Sequence, residues 1–229
     1  VNPSMTVAAR RQLQQVLQNG EDLLLEGKAE EAQAAFAGAV KQDSLYAMSH
    51  FLLGRALLAV GDTASASASL LQARELDVCP LRARQPLHRI LAEQCSAAGV
   101  ELLDLQAVLA ELSPGGIIGD KYLMDHIHPG PEGHLIFAGE IYDWMARRFT
   151  GWGLEAAALP KIDDLLPREL AKLDSDYFQR GVLNLVKVMV WAGKYREAGA
   201  MLDSNPSLLE QNGEARYLNG YVKEKLGDY

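Results

Sequence analysis

Asp125, His126, His128 and His134 fall within ten residues of one stretch and include three of the five histidines of this 229-residue chain. Carboxylates and imidazoles at this density pass protons to and from a reacting group, or hold a metal ion. Loops this rich in ionisable groups commonly carry function, because a rigid scaffold beneath them sets their geometry. Three residues of separation put the side chains of Asp125 and His128 on one face of a tight turn. Asp and His suit zinc or manganese. The pattern Asp-His-x-His is nevertheless not a standard ligand spacing on one element, since neighbouring side chains diverge. Gly115, Gly116 and Gly119 precede the cluster. They lack the Lys-Ser/Thr that completes a phosphate-binding loop, and they read as a turn.

The elements around the cluster must position it. Pro80 and Pro86 break an upstream helical rhythm, and the helix LHRILAEQCSAA follows, stopped by Gly99. The run VELLDL then has the look of a buried parallel strand ending near Asp104. A short helix QAVLAEL leads into the loop SPGGIIGDKYLMDHIHPGPEGH, and the amphipathic helix LIFAGEIYDWMARRF closes the segment. Helix, strand, loop and helix is the grammar of an α/β protein.

Asp125-His126-Ile127-His128-Pro129, followed by Gly133-His134, resembles the last block of the SGNH (GDSL-type) hydrolase family. In that family Asp-x-x-His supplies two members of a Ser-His-Asp triad, with a Pro next and a Gly-His opening the final helix. The glycine-rich loop, the Tyr122-Leu123-Met124 approach and the closing helix fit the same pattern, which covers roughly a third of the chain. The resemblance implies that His128 is the general base taking the proton of a serine hydroxyl. It implies that Asp125 orients the imidazole and stabilises its protonated form. His134 is expected to support the loop. The family's Gly-Asp-Ser-Leu nucleophile block and its oxyanion Gly and Asn have no counterpart in the chain. The nearest string, Gln42-Asp43-Ser44-Leu45, lacks the glycine and sits at a helix end rather than after a strand, so Ser44 is rejected as nucleophile. The nucleophile is therefore expected upstream of Val1 in a longer parent, with this chain inactive alone. Two further readings stand beside this one: a structural loop without chemistry, and a metal site built from Asp125, His126, His128 and His134.

The rest of the chain is organised by a period. Gly20 and Gly54 are 34 residues apart, as are Gly27 and Gly61, Ala32 and Ala66, Ala39 and Ala73, Leu23 and Leu57, and Phe36 and Leu70. Period and residue types resemble the tetratricopeptide repeat, a helical hairpin. Gly20 and Gly54 are expected where a second helix crosses closely, with Phe36 and Leu70 as its larger knobs. Gly27 and Gly61 are expected in the turns, where a positive φ costs glycine little. A second block repeats the signal: Gly193 and Gly227 are 34 apart, Tyr195 and Tyr229 likewise, Ala198 follows Gly193 by five, and Gly220 precedes Gly227 by seven. Since a repeat cannot bury its apolar face alone, the ending Gly227-Asp228-Tyr229 suggests a piece of a longer protein.

The fold expected is thus mainly α: tetratricopeptide hairpins of an α-solenoid flanking a small α/β segment. The boundaries are 1–79 for the first repeats, 80–150 for the hydrolase-like segment, 151–167 for a linker broken by Pro160 and Pro167, and 168–229 for the second repeats. Composition agrees with a folded chain, at 48% hydrophobic, mean hydropathy −0.07 and net charge −8. An acidic surface repels phosphate backbones, which argues against nucleic acid as partner. No apolar run approaches the ~20 residues of a membrane span. Cys79 and Cys95 form neither a disulfide framework nor a zinc site and read as buried thiols. Trp152, Trp191, Tyr195, Tyr217, Tyr221 and Tyr229 read as repeat packing, with a peptide groove as the sharper alternative.

Function is expected on two levels. The repeats are a scaffold for a protein or peptide partner. The parent is an SGNH-type esterase acting on an acyl ester, with Asp125 and His128 as its triad members and no cofactor. The alternative is a non-catalytic binding module with a degenerate hydrolase-like or metal-binding loop. The apolar run from Val100 to Leu105 is expected to be hidden by self-association or against the repeats.

Overall fold

The structure is a computed structural model that describes residues 2–78, 83–125, 127–154, 161–174 and 176–228. It divides into two compact units, Val1–Gly119 and Asp120–Tyr229. Among the described residues the chain forms twelve α-helices and no β-strand. No helix among them is long and apolar enough to cross a membrane.

The first unit holds α1 (Val7–Leu25), α2 (Ala29–Gln42), α3 (Ala47–Ala59), α4 (Thr63–Leu76), α5 (Gln85–Ala97) and α6 (Leu105–Glu111). Thr6 starts α1 by accepting the Ala9 N–H, and Asp62 starts α4 by accepting that of Ser65. Between α1 and α2 the chain reverses at Gly27, φ 77°, with Lys28 N–H bonded to the Leu23 carbonyl and Gly27 N–H to that of Leu24. This pair of bonds satisfies the last carbonyls of a helix that ends in a left-handed residue. The same pair recurs at Gly61, with Asp62 bonded to Leu57 and Gly61 to Leu58.

Helices α1 and α2 form one hairpin and α3 and α4 the next, with α3 laid against α2. A β-carbon at Gly20 would overlap the ring of Phe36, and one at Gly54 would stand 2.7 Å from Cγ of Leu70. The two small-and-large pairs thus let each hairpin close at the same depth, 34 residues apart. Leu13, Leu17, Ala32, Phe36, Ala39, Leu52 and Ala56 make the core of these hairpins. Asp43 is buried in the turn after α2, where its carboxylate accepts the backbone N–H groups of Asn2 (2.6 Å) and Leu45 (3.2 Å).

The α/β segment expected between the repeats is not formed. Residues 100–104 run between α5 and α6 without strand pairing, and Leu105 already belongs to α6. A strand is defined by a neighbour that takes up its N–H and C=O groups, and among the described residues none lies alongside. Two local bonds act instead: Val100 N–H closes α5 on the Cys95 carbonyl, and the Asp104 side chain caps α6 at Ala107. The apolar run expected to be hidden is in part open, with Val100 58% exposed and Leu102 exposed as well. Helix α5 has no buried residue, and Cys95 on it is half-buried, less covered than the buried thiol expected. Cys79 and Pro80 lie outside the described residues.

The second unit holds α7 (Pro131–Arg148), α8 (Ile162–Leu170), α9 (Asp176–Trp191), α10 (Tyr195–Asp203), α11 (Pro206–Gln211) and α12 (Gly213–Leu226). Pro167, expected as a breaker, lies inside α8. It removes one helical donor but keeps its carbonyl, which still accepts the Ala171 N–H. Pro160 and Tyr229 lie outside the described residues. Helices α9 and α10 reverse at Gly193, φ 74°, with the same two bonds as at Gly27. Leu183, Val186, Ala198, Leu202, Leu208, Ala215, Leu218 and Val222 form the core of α9 to α12. Seven residues before Gly193 stands Val186, not glycine. It shares this core with Leu202, which takes the register of Phe36 and Leu70. At Gly220 a β-carbon would meet nothing within 4 Å, so that glycine answers no close crossing among the described residues.

Candidate functional site

The loop that carries Asp125 is closed at its base by backbone pairing. Leu123 and Pro129 pair as an isolated antiparallel bridge, with Met124 N–H bonded to the His128 carbonyl and Gly130 N–H to the Tyr122 carbonyl, both at 2.8 Å. Tyr122 is buried. Helix α7 starts directly on this base: a β-carbon at Gly133 would overlap the Tyr122 carbonyl oxygen. Only glycine lets the first turn of α7 approach that carbonyl, which explains the Gly of Gly133-His134 without appeal to chemistry.

Within the loop, one carboxylate organises the turn. Oδ1 of Asp125 accepts the N–H of Ile127 and the N–H of His128, each at 2.8 Å, and Oδ2 stands 2.6 Å from Nδ1 of the His128 ring. Burial pushes this carboxyl up. Donation from the His128 and Ile127 N–H groups and from the His128 ring outweighs it and holds the pKa at about 2, below the ordinary 3.8. The Asp125 side chain is 29% exposed, and that of His128 69%. A carboxylate on Nδ1 favours the tautomer with the proton there and leaves Nε2 as an acceptor on an open ring. The pair can therefore take a proton from a group presented to Nε2, with Asp125 stabilising the imidazolium that results.

The other residues of the cluster fall differently. His126 lies outside the described residues. His134 is exposed on the first turn of α7, where its N–H bonds the Gly130 carbonyl. Among the described residues no three His, Cys, Asp or Glu side chains converge as a metal-binding set. Gly115 and Gly116 form a turn in the first unit, where a β-carbon at Gly115 would overlap Cγ2 of Thr63 at the start of α4. Ser44 is exposed in the turn between α2 and α3, and its carbonyl lies 2.9 Å from Nε2 of His50.

One contact of the loop has no motif behind it. The methyl of Met124 sits over Gly181 of α9, where a β-carbon would come within 2.9 Å of it, and the Tyr177 hydroxyl donates to the Met124 sulfur at 3.3 Å. The residue next to Asp125 is thus seated on a helix of the second repeat block. An isolated glycine inside the apolar helix DYFQRGVLNLVKVMVW was the available signal for a close approach. Comparison of the chain with protein-family models, with curated proteins and with solved structures gave no match, so function is argued from this geometry alone.

Proposed function

We propose that the chain is a helical-repeat scaffold of the tetratricopeptide type carrying the base half of a serine-esterase site, with His128 as general base and Asp125 as its orienting partner. The observation that supports the catalytic part most directly is the double hold of Asp125. One oxygen fixes the backbone of His128 and the other its ring. A general base must reach its proton in a fixed tautomer and direction, and this carboxylate supplies both. The scaffold part is supported by the two hairpins whose glycines receive Phe36 and Leu70 at a spacing of 34 residues. In this reading the serine nucleophile and the oxyanion donors come from outside the 229 residues. The substrate class is an acyl ester, and the repeats carry the protein partner.

Fluorophosphonate labelling followed by intact mass tests the reading, applied to this chain and to the longest native reading frame that contains it. The expected result is one adduct on the longer form, lost on His128→Ala, and none on this chain. Absence of an adduct from both forms would overturn the esterase part and leave the scaffold.

A further inference from the structure

The two repeat blocks can be read against each other through their turn glycines. Aligning Gly61 with Gly193 sets α3 against α9. Tyr46 falls on Phe178, Ser49 on Gly181, Leu53 on Leu185 and Ala56 on Val188. In the first unit this face of α3 is the one that the preceding hairpin covers. Ser49 and Ala56 are fully buried there, and Tyr46 and Leu53 pack with the core of α1 and α2. In the second unit α9 turns its other face, Leu183 and Val186, to α10 and α12. The face equivalent to the covered one is covered at a single point, Gly181, by the methyl of Met124. Beyond it Val188 is 48% exposed, Phe178 is exposed, Leu185 is half-buried, and Trp191 at the rim is 87% exposed.

We infer that this face of α9 is a docking site for an amphipathic helical hairpin supplied by a partner protein, packed as α1 and α2 pack on α3. The register fixes the chemistry of the occupant. It needs an apolar ridge at three-and-four spacing against Leu185 and Val188, and an aliphatic or aromatic side chain to cover the Trp191 indole. Where α3 has Met48 and Leu52, α9 has Arg180 and Asn184. The flank of the occupant on that side is therefore polar, with a hydrogen-bonding group opposite Asn184. Exposed tryptophan beside aliphatic residues is the composition of an interface centre, where large rigid side chains carry most of the binding energy. Because Met124 ends the open stretch, the occupant comes to rest beside the loop of Asp125 and His128. The inference rests on the scaffold part of the proposed function and not on its esterase part.

Trp191 reports on the face directly. In the full chain with Trp144→Phe and Trp152→Phe, its emission and acrylamide quenching are followed as a peptide of the sequence Thr6–Asp43, the α1–α2 hairpin, is added up to millimolar concentration. The expected result is a red, freely quenched indole in the chain alone, and a saturable blue shift with protection as peptide binds. Val188→Glu should weaken the apparent affinity about tenfold or more. Three outcomes overturn the inference: no saturable change, protection of Trp191 in the chain alone at every concentration, and protection that grows with chain concentration in the absence of peptide. The second means that the chain covers its own face, and the third that a second copy does. The readout does not involve His128, so this inference and the esterase reading can fail separately.

Discussion

Asp125 holds His128 by two different bonds, through the backbone N–H with one carboxylate oxygen and through Nδ1 of the ring with the other, 2.6 Å away. The carboxyl is held at about 2 in the folded chain against an ordinary 3.8. A carboxyl depressed in this way adds stability that is fully present above its ordinary value and is lost as the pH falls through its folded value. The loop is therefore expected to hold unchanged at neutral pH and to loosen between about 3.8 and about 2. Carbon-detected NMR titration of the Asp125 carboxyl reads this directly. A midpoint at or above 3.8 would remove the double hold.

Gly133→Ala tests the seat of α7 on the loop. Its β-carbon would meet a backbone carbonyl, which cannot move aside as a side-chain end can. The expected loss of stability is about 1–3 kcal/mol. Gly139→Ala on the same helix, where the added carbon meets nothing within 4 Å, is the control and should be neutral or stabilising by about 0.5–1 kcal/mol. Chemical denaturation of both variants separates overlap from helix propensity, and equal effects would contradict the packing described.

The crossing of α1 and α2 is open to the same comparison. Gly20→Ala drives a methyl into the Phe36 ring, whereas Gly38→Ala on α2 enters open space. Destabilisation of about 1–3 kcal/mol is expected for the first, and stabilisation of about 0.5–1 kcal/mol for the second. Thermal melting suffices to rank them.

Gly181→Val should displace the Met124 thioether and unseat the loop from α9 without touching Asp125. Faster hydrogen exchange at the Met124 and Gly130 amides, the two donors that close the loop base, is the expected outcome. Unchanged protection would mean that the loop stands without α9.

What could be read from the sequence is what short-range geometry decides. The turn glycines, the paired Gly20 and Phe36, and the approach of Asp125 to His128 each depend on a fixed offset of a few residues or one repeat, and an offset is visible in a string of letters. The run VELLDL was not legible in the same way, because a strand depends on a neighbour that its own residues do not specify. The apolar residues Leu87, Ile90 and Leu91 of α5 predict burial, yet all three are exposed. Periodicity states which face is apolar and not what meets it. Met124 and Gly181 lie on different elements, and neither carries a motif, so their contact emerges only from the fold.

Each turn at Gly27, Gly61 and Gly193 satisfies its own last carbonyls with its own next two N–H groups. None of them borrows a partner from elsewhere, so a turn says where a helix stops and nothing about which hairpin follows. Lengthening or shortening the chain is therefore quantised. Removing one residue inside α2 would swing Phe36 about 100° around the helix axis, off Gly20 and out of the core. Removing or adding a whole 34-residue repeat would leave every small-and-large pair in register. Insertions and deletions in this chain should accumulate in that unit, and a library of length variants would show survivors spaced by it.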